Sequence, residues 1–172
     1  MPLATEFVLA DAALHQLKGF DCGKASLNDY LSRYAVRNRS LGLSRTWVLT
    51  EQAGHGKRPI AAYFTLASST VVRQALPAQK TSLPAYPVPV VLLARLGVSV
   101  QYQGQQLGAK TLVQALRTAL ELTERGLPAL GVVLDVLDDQ ALRFYQHMGM
   151  FMQLTEQPKR LFVPMGTIRQ LP

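Results

Sequence analysis

The sequence predicts an α/β fold in which helices flank a mixed sheet, and three observations carry that prediction. The longest apolar run, Val88 to Val98, reads as a central buried strand. An amphipathic segment from Gly108 to Arg125 comes after it, with Leu112, Val113, Leu116, Ala119 and Leu120 at helical spacing. A second buried run, Ala129 to Val136, comes next, and strand, helix, strand in that order makes a right-handed crossover between parallel strands. At 172 residues, one domain spanning 1–172 is the economical expectation.

Taken in order, Phe7 to Leu9 reads as a short first strand. Ser26, with Asp29 three residues on, makes a capping-box-like start to a helix whose face is marked by Leu27, Tyr30, Leu31 and Tyr34. Arg33 and Arg37 lie one turn apart on another face, with Arg39 and Arg45 near the exit. Thr46–Thr50 and Ile60–Ala67 read as strands joined in a hairpin by the Gly54–Pro59 turn. Leu76 to Pro89 is Pro-rich and reads as a loop. Arg95 interrupts the central strand, which is expensive unless its side chain emerges into a cleft or finds a partner. Gly126 ends the long helix, with Pro128 beyond. A short helix succeeds the second buried strand. Asp138 or Asp139 is its cap, Ala141, Leu142 and Tyr145 fall at helical spacing, and Gly149 stops it. Phe151–Leu154 and Leu161–Val163 close the sheet as a hairpin across Glu156–Lys159.

The net charge of +7 is unevenly spread. From Gln52 to Leu120 there are seven basic residues and no Asp or Glu, and extending back to Tyr30 adds four arginines against Glu51 alone. Such a field favours a polyanionic partner and disfavours cationic substrates. The single Cys22 cannot form an internal disulfide and agrees with a reducing compartment; beside Asp21 it reads as a small turn residue rather than a nucleophile. No apolar run reaches the ~20 residues that span a bilayer. The opening Met-Pro-Leu-Ala-Thr-Glu lacks the basic-then-apolar layout of a signal peptide, so a cytoplasmic location is expected. His15 and His55 fall in surface segments and make no metal-ligand spacing with Cys22, so no metal site is expected.

Two motifs carry chemistry. Between the central strand and the long helix lies a turn rich in Gly and Gln, Gln103-Gly-Gln-Gln-Leu-Gly108, with Ala109 next in the chain. A strand, a glycine turn and a helix start present free backbone N–H groups and the positive end of the helix dipole to a phosphate. Gly104 and Gly108 let backbone approach a ligand where a Cβ would intrude. The second motif is Phe144-Tyr-Gln-His-Met-Gly-Met150 on the short helix.

With both in place, the sequence resembles the GNAT superfamily of acetyl-CoA-dependent N-acyltransferases, which carries Gln/Arg-x-x-Gly-x-Gly/Ala at the phosphate turn and a Phe-Tyr…Gly-Phe helix later. Two positions depart from that pattern: Gln106 stands at the first turn glycine and Met150 at the usual aromatic. Three readings of Gln106 stay open: it sits in the turn with a negative φ, its side chain itself contacts phosphate, or it marks a weakened acyl-CoA site. Phe20-Asp-Cys-Gly-Lys-Ala-Ser-Leu-Asn-Asp-Tyr-Leu31, then Ala35 and Asn38, is similar to the opening of the GNAT toxins of bacterial toxin–antitoxin modules, which acetylate the amino group of aminoacyl-tRNA. The resemblance runs from about Phe20 to about Val163.

The resemblance implies a GNAT fold with a splayed central sheet, acetyl-CoA as co-substrate, a neutralising antitoxin of the ribbon–helix–helix type and a homodimer. It implies that backbone at Leu96 and Val98 holds the pantetheine arm and offers an N–H to the oxyanion. Gln103, Gly104, Gln106, Gly108 and Ala109 would take the diphosphate, and Asp138 joins the cofactor-binding set. Tyr145 would be the general acid that protonates the leaving thiolate, since a phenol of pKa ~10 stays protonated at neutral pH. From spacing alone, a core aromatic with a satisfied hydroxyl is the competing reading of Tyr145.

The missing general base points to the acceptor. An α-amino group has a pKa near ~8, and an adjacent ester lowers it, so an aminoacyl ester is substantially neutral at pH 7. A lysine or polyamine acceptor would demand an acidic site and a base, which the acid-poor half does not offer. Candidate tRNA contacts are Arg33, Arg37, Arg45, Lys57, Arg58, Arg73 and Arg95, with Arg95 expected nearest the active cleft. A small amine or a protein N-terminus is the alternative acceptor, and a non-catalytic acyl-CoA-binding protein is the alternative class.

Overall fold

The computed structural model describes residues 2–52, 54–76, 82–155 and 157–172. Its strands are β1 (Val8–Leu9), β2 (Arg45–Thr50), β3 (Ile60–Val71), β4 (Val88–Val98), β5 (Gly131–Asp135), β6 (Met152–Leu154) and β7 (Gln157–Pro164). The helices are α1 (Ala25–Asp29), α2 (Ala35–Ser40), α3 (Leu107–Glu124), α4 (Asp139–His147) and α5 (Met165–Arg169). The strands form one sheet in the order β1-β2-β3-β4-β5-β7-β6. It is mixed: β1 with β2, β2 with β3, β5 with β7 and β6 with β7 are antiparallel, whereas β4 and β5 are parallel. The chain divides into two compact units, Met1–Ala67 with Arg95–Ala115, and Ser68–Ala94 with Leu116–Pro172.

In the first unit, the β2–β3 hairpin forms as expected, with Trp47 opposite Phe64 and a bulge between Leu49 and Thr50, while β3 runs past the expected end at Ala67 to Val71. Phe64 is fully buried, its ring stacked on Trp47 and tilted against Phe7. The first helix departs from expectation twice. It begins at Ala25, with Lys24 at the N-cap and no side-chain cap. Leu27 and Asn28 donate to the Lys24 carbonyl, which places Ser26 inside the first turn, where a hydroxyl cannot cap. Residues Tyr30–Tyr34 then form a π turn, closed by the Ala35 N–H on the Tyr30 carbonyl, before the chain resumes as α2. One inserted residue rotates the rest of the helical path by about 100°. Tyr30 and Leu31 accordingly face the core, while Tyr34 is 44% exposed instead of continuing their stripe.

In the second unit, Val71, Val88, Val90, Val133, Leu154 and Phe162 make a core under the sheet. The hairpin β6–β7 closes more tightly than expected. Gln157–Lys159 already belong to β7 and Thr155 follows β6 directly; Glu156 lies outside the described residues. Residues 77–81 of the expected Leu76–Pro89 loop also lie outside them; a single 3₁₀ turn, Arg73–Ala75, precedes. The helix α5 packs on β5 and β7 through Met165 and Ile168. Among the described residues, no helix is long and apolar enough to cross a membrane.

Candidate active site

The turn between β4 and α3 is the first part of the site. A 3₁₀ turn, Val100–Tyr102, leads into it, with the Ser99 hydroxyl accepting from the Gln101 N–H. Gly104 sits at φ +79 and Gln106 at φ +65. Gln106 is the one positive-φ residue other than glycine among the described residues. Of the alternatives at Gln106, the one that needs a negative φ is therefore not the one found: the turn takes a left-handed residue there, which is what a glycine supplies without strain. The first main-chain bond of the helix runs from the Lys110 N–H to the Gln106 carbonyl. The amides just before it are N-terminal donors with no intrahelical partner, and the dipole of an 18-residue helix stands behind them. Gln103 through Gln106 are exposed, Gly108 and Ala109 half-buried, and Leu107 anchors the turn in an apolar cluster with Leu49, Ala61 and Ala62. A Gln106→Gly variant is expected to be more stable by about 0.5–1 kcal/mol, the left-handed strain outweighing the added chain entropy, as a rise in thermal midpoint.

The strand feeding this turn is held by the N-terminal loop. Leu96 and Val98 are half-buried. Between them, the backbone of Gly97 lies so close to Tyr63, Phe20 and Cys22 that an added Cβ would meet the Tyr63 ring at 3.2 Å. The Asp21 carboxylate accepts from the Gly23 N–H at 2.8 Å and the Asn28 amide at 3.0 Å, and these two bonds, the first above all, hold its pKa below the usual carboxylate range. Burial pushes the Cys22 thiol up, so it is a packed thiol and not a thiolate. Glu51, the one acid in the basic half, is buried and accepts from the Tyr102 hydroxyl at 2.6 Å; that bond pushes the Tyr102 phenol up to about 12. Glu51 is thus occupied, and neither member of this pair is legible from local sequence, since they lie on different elements.

Tyr145 and Asp138 belong to the second unit. Asp138 is the N-cap of α4, its Oδ1 accepting from the Ala141 N–H at 2.8 Å. That is its structural role, and it decides the choice between Asp138 and Asp139. Gly149, at φ +76, lies just past the helix end. Tyr145 is the buried residue of α4, 9% exposed. Its ring stands edge-on to Phe144 and Phe151, centroids 5.1 and 5.7 Å away, and burial pushes its phenol up to about 12. Among the described residues, no buried side-chain oxygen or nitrogen is left without a partner.

Six of the seven basic candidates fall in the first unit. Arg33, Arg37, Arg45, Lys57, Arg58 and Arg95 are all exposed. Arg95 emerges from β4 and lies over the ring of Tyr30, 4.7 Å from its centroid, which resolves the cost of a charge in that strand. Arg73 belongs to the second unit, is half-buried and donates to the Leu83 carbonyl at 2.9 Å, so it staples its own loop. His15 is buried, against expectation. Its Nδ1 accepts from the Asp11 N–H at 2.9 Å and it bridges to Arg58, which tucks it under the chain; burial lowers its pKa. His55 and His147 are exposed. Among the described residues, no group of three or more His, Cys, Asp or Glu could hold a metal ion.

No family model matches the chain. A tRNA-acetylating toxin of Mycobacterium tuberculosis (strain ATCC 25618 / H37Rv) is 31% identical over 153 residues, 88% of this chain and 87% of the relative. Among solved structures, a tyrosine-to-phenylalanine mutant of the toxin KacT superposes with a TM-score of 0.89 at 28% identity, covering 100% of both chains. The toxin AtaT complexed with acetyl-methionyl-tRNAfMet gives 0.85 at 29%, covering 97% of each. A tyrosine-to-phenylalanine mutant of AtaT, bound to the C-terminus of the antitoxin AtaR and acetyl-CoA, gives 0.80 at 26%, covering 98% of this chain and 97% of that one. With a relative of this identity over most of both lengths and solved toxins of the same fold, the chain belongs to the tRNA-acetylating toxins of the GNAT N-acetyltransferase family.

Proposed function

We propose that this protein transfers the acetyl group of acetyl-CoA to the amino group of aminoacyl-tRNA, stopping translation, and that a cognate antitoxin restrains it. The observation that carries the reading is the turn at 103–109, with left-handed backbone at Gly104 and Gln106 ahead of a long helix, in a chain of this family. The backbone amides from Gln103 to Ala109 take the diphosphate, and backbone at Leu96 and Val98 holds the pantetheine arm and gives the oxyanion an N–H. Gln106 takes the positive φ that a glycine has at such a turn, which supports a backbone path open to a diphosphate.

The amine attacks the thioester carbonyl carbon, the tetrahedral intermediate collapses with cleavage of the C–S bond, and Tyr145 protonates the thiolate. The acceptor supplies its own reactivity: an aminoacyl ester amine is substantially neutral at pH 7, so water suffices to take its proton. Tyrosine-to-phenylalanine mutants of KacT and AtaT support the choice of Tyr145. Asp138 serves through the helix it caps.

One domain, residues 1–172, performs the reaction in the cytoplasm as a homodimer, and the antitoxin is of the ribbon–helix–helix type. The exposed Arg33, Arg37, Arg45, Lys57, Arg58 and Arg95 neutralise tRNA phosphates. Arg37→Ala is expected to weaken tRNA binding and to flatten its dependence on log salt by about one unit, read from filter binding at several ionic strengths. The function itself is tested by offering labelled acetyl-CoA with charged tRNA, uncharged tRNA, small amines and peptide N-termini. Label is expected on charged tRNA alone; label on a small amine with tRNA inert sinks the tRNA assignment.

A further inference from the structure

The side-chain amide of Gln103 is already spoken for. Its Nε2 donates to the Cys22 carbonyl at 2.9 Å and to the Val98 carbonyl at 2.9 Å. A primary amide has two N–H groups, so both are used within the protein. The two acceptors come from segments far apart in sequence: Val98 ends β4, and Cys22 sits in the loop Phe20–Gly23. Beside this pair, the Val100 N–H donates to the Asp21 carbonyl at 2.9 Å and the Ser99 N–H to the Ala61 carbonyl at 2.8 Å. The loop is itself braced, the Cys22 N–H donating to the Asn28 Oδ1 at 2.9 Å and Gly23 turning at φ +86.

We propose that Gln103 is a positioning residue whose side-chain amide latches the Phe20–Gly23 loop to the end of β4, fixing the backbone path into the diphosphate turn. The inference deepens the reading of residues 103–109 as the coenzyme A turn and rests on it. The N-terminal Phe-Asp-Cys-Gly motif and the phosphate-turn motif are then one hydrogen-bonded unit. A turn held at its first residue by this latch and at its end by α3 loses less freedom when a nucleotide binds, which appears as affinity. Both partners are carbonyl oxygens, so the position needs N–H donors. Glutamate would set a carboxylate against them, methionine would leave them unpaired, and arginine keeps a planar donor fork.

The test compares wild type with Gln103→Met, Gln103→Glu and Gln103→Arg, each below its melting transition. Coenzyme A affinity comes from calorimetry, KM and kcat from acetyl-CoA titrations, and amide hydrogen exchange is measured over residues 20–24 without ligand. Gln103→Met is expected to weaken coenzyme A binding and raise the acetyl-CoA KM by about tenfold, with kcat within about twofold. Gln103→Glu is expected to be weaker still, Gln103→Arg to recover most of the affinity, and exchange at residues 20–24 to quicken in the Met and Glu variants. Wild-type affinity and wild-type exchange in Gln103→Met overturn the latch, as does a Gln103→Arg variant as impaired as Gln103→Met. A wild-type protein that binds no coenzyme A overturns the reading of the turn instead, and the exchange data then judge the latch separately.

Discussion

Replacing Tyr145 by phenylalanine is expected to lower kcat for acetyl transfer by about 10²-fold or more, the range of a lost general acid, with the KM for acetyl-CoA little changed. The ring remains, so its edge contacts with Phe144 and Phe151 remain, and the melting temperature is expected to stay within a degree or two of wild type. Activity and stability therefore separate, as they would not if Tyr145 were a core aromatic only. The direction of its pKa matters here. Burial disfavours the phenolate and pushes the phenol up to about 12, so the proton stays on oxygen across neutral and moderately alkaline pH. No loss of activity from phenol ionisation is expected until pH approaches 12. The acid limb belongs to the acceptor: below the pKa of the aminoacyl amine the nucleophile is protonated, and the rate falls with pH in wild type and variant alike. A Phe variant with full kcat removes Tyr145 from the chemistry.

The parts of this protein written in periodicity are legible. β4 runs from Val88 to Val98, as its apolar run predicts, and α3 and β5 lie within a residue or two of their expected bounds. Asp138 caps α4, and Gly126 and Gly149 take the positive φ that a helix stop asks for. The illegible features are set by contacts between segments distant in sequence. The π turn at Tyr30–Tyr34 leaves no mark on an i, i+3, i+4 pattern, so that pattern puts Tyr34 on the wrong face. His15 looks like a loop residue until Arg58 pairs beside it. For Gln106, the motif names the position but not its conformation, because glutamine by itself prefers a negative φ. The same limit applies to Gln103: sequence marks it as a phosphate-turn residue, whereas its side chain is spent on Cys22 and Val98. The sequence thus names candidate positions. How a side chain serves there is decided by partners far along the chain, such as Glu51 for Tyr102, 51 residues away, and Cys22 for Gln103, 81 away.

The largest loss of stability from a single methyl group is expected at Gly131. A Cβ built there would stand 2.3 Å from the Val163 carbonyl oxygen and 2.7 and 2.8 Å from two ring carbons of Phe162. Phe162 is fully buried and Val163 is part of β7, so neither can swing aside as a surface side chain would. Nor can β5 retreat. On the β7 flank Gly131 is paired with Pro164 and the Leu130 carbonyl accepts from the Met165 N–H, while on the β4 flank the Leu130 N–H donates to the Pro89 carbonyl. Relief therefore requires breaking ladder bonds on one flank or the other. Gly131→Ala is expected to cost about 3 kcal/mol or more, at the upper end of overpacking, and to lower the melting temperature by roughly 6–12 °C. Gly166→Ala is the matched control, since nothing lies within 4 Å of its Cβ position in α5 and alanine is the better helix former. β5 leads into the helix that carries Tyr145, so activity in the Gly131 variant should track its folded fraction, with KM unchanged in what remains folded. A Gly131→Ala protein that melts with wild type would show that β5 and β7 do not approach as closely as this packing requires.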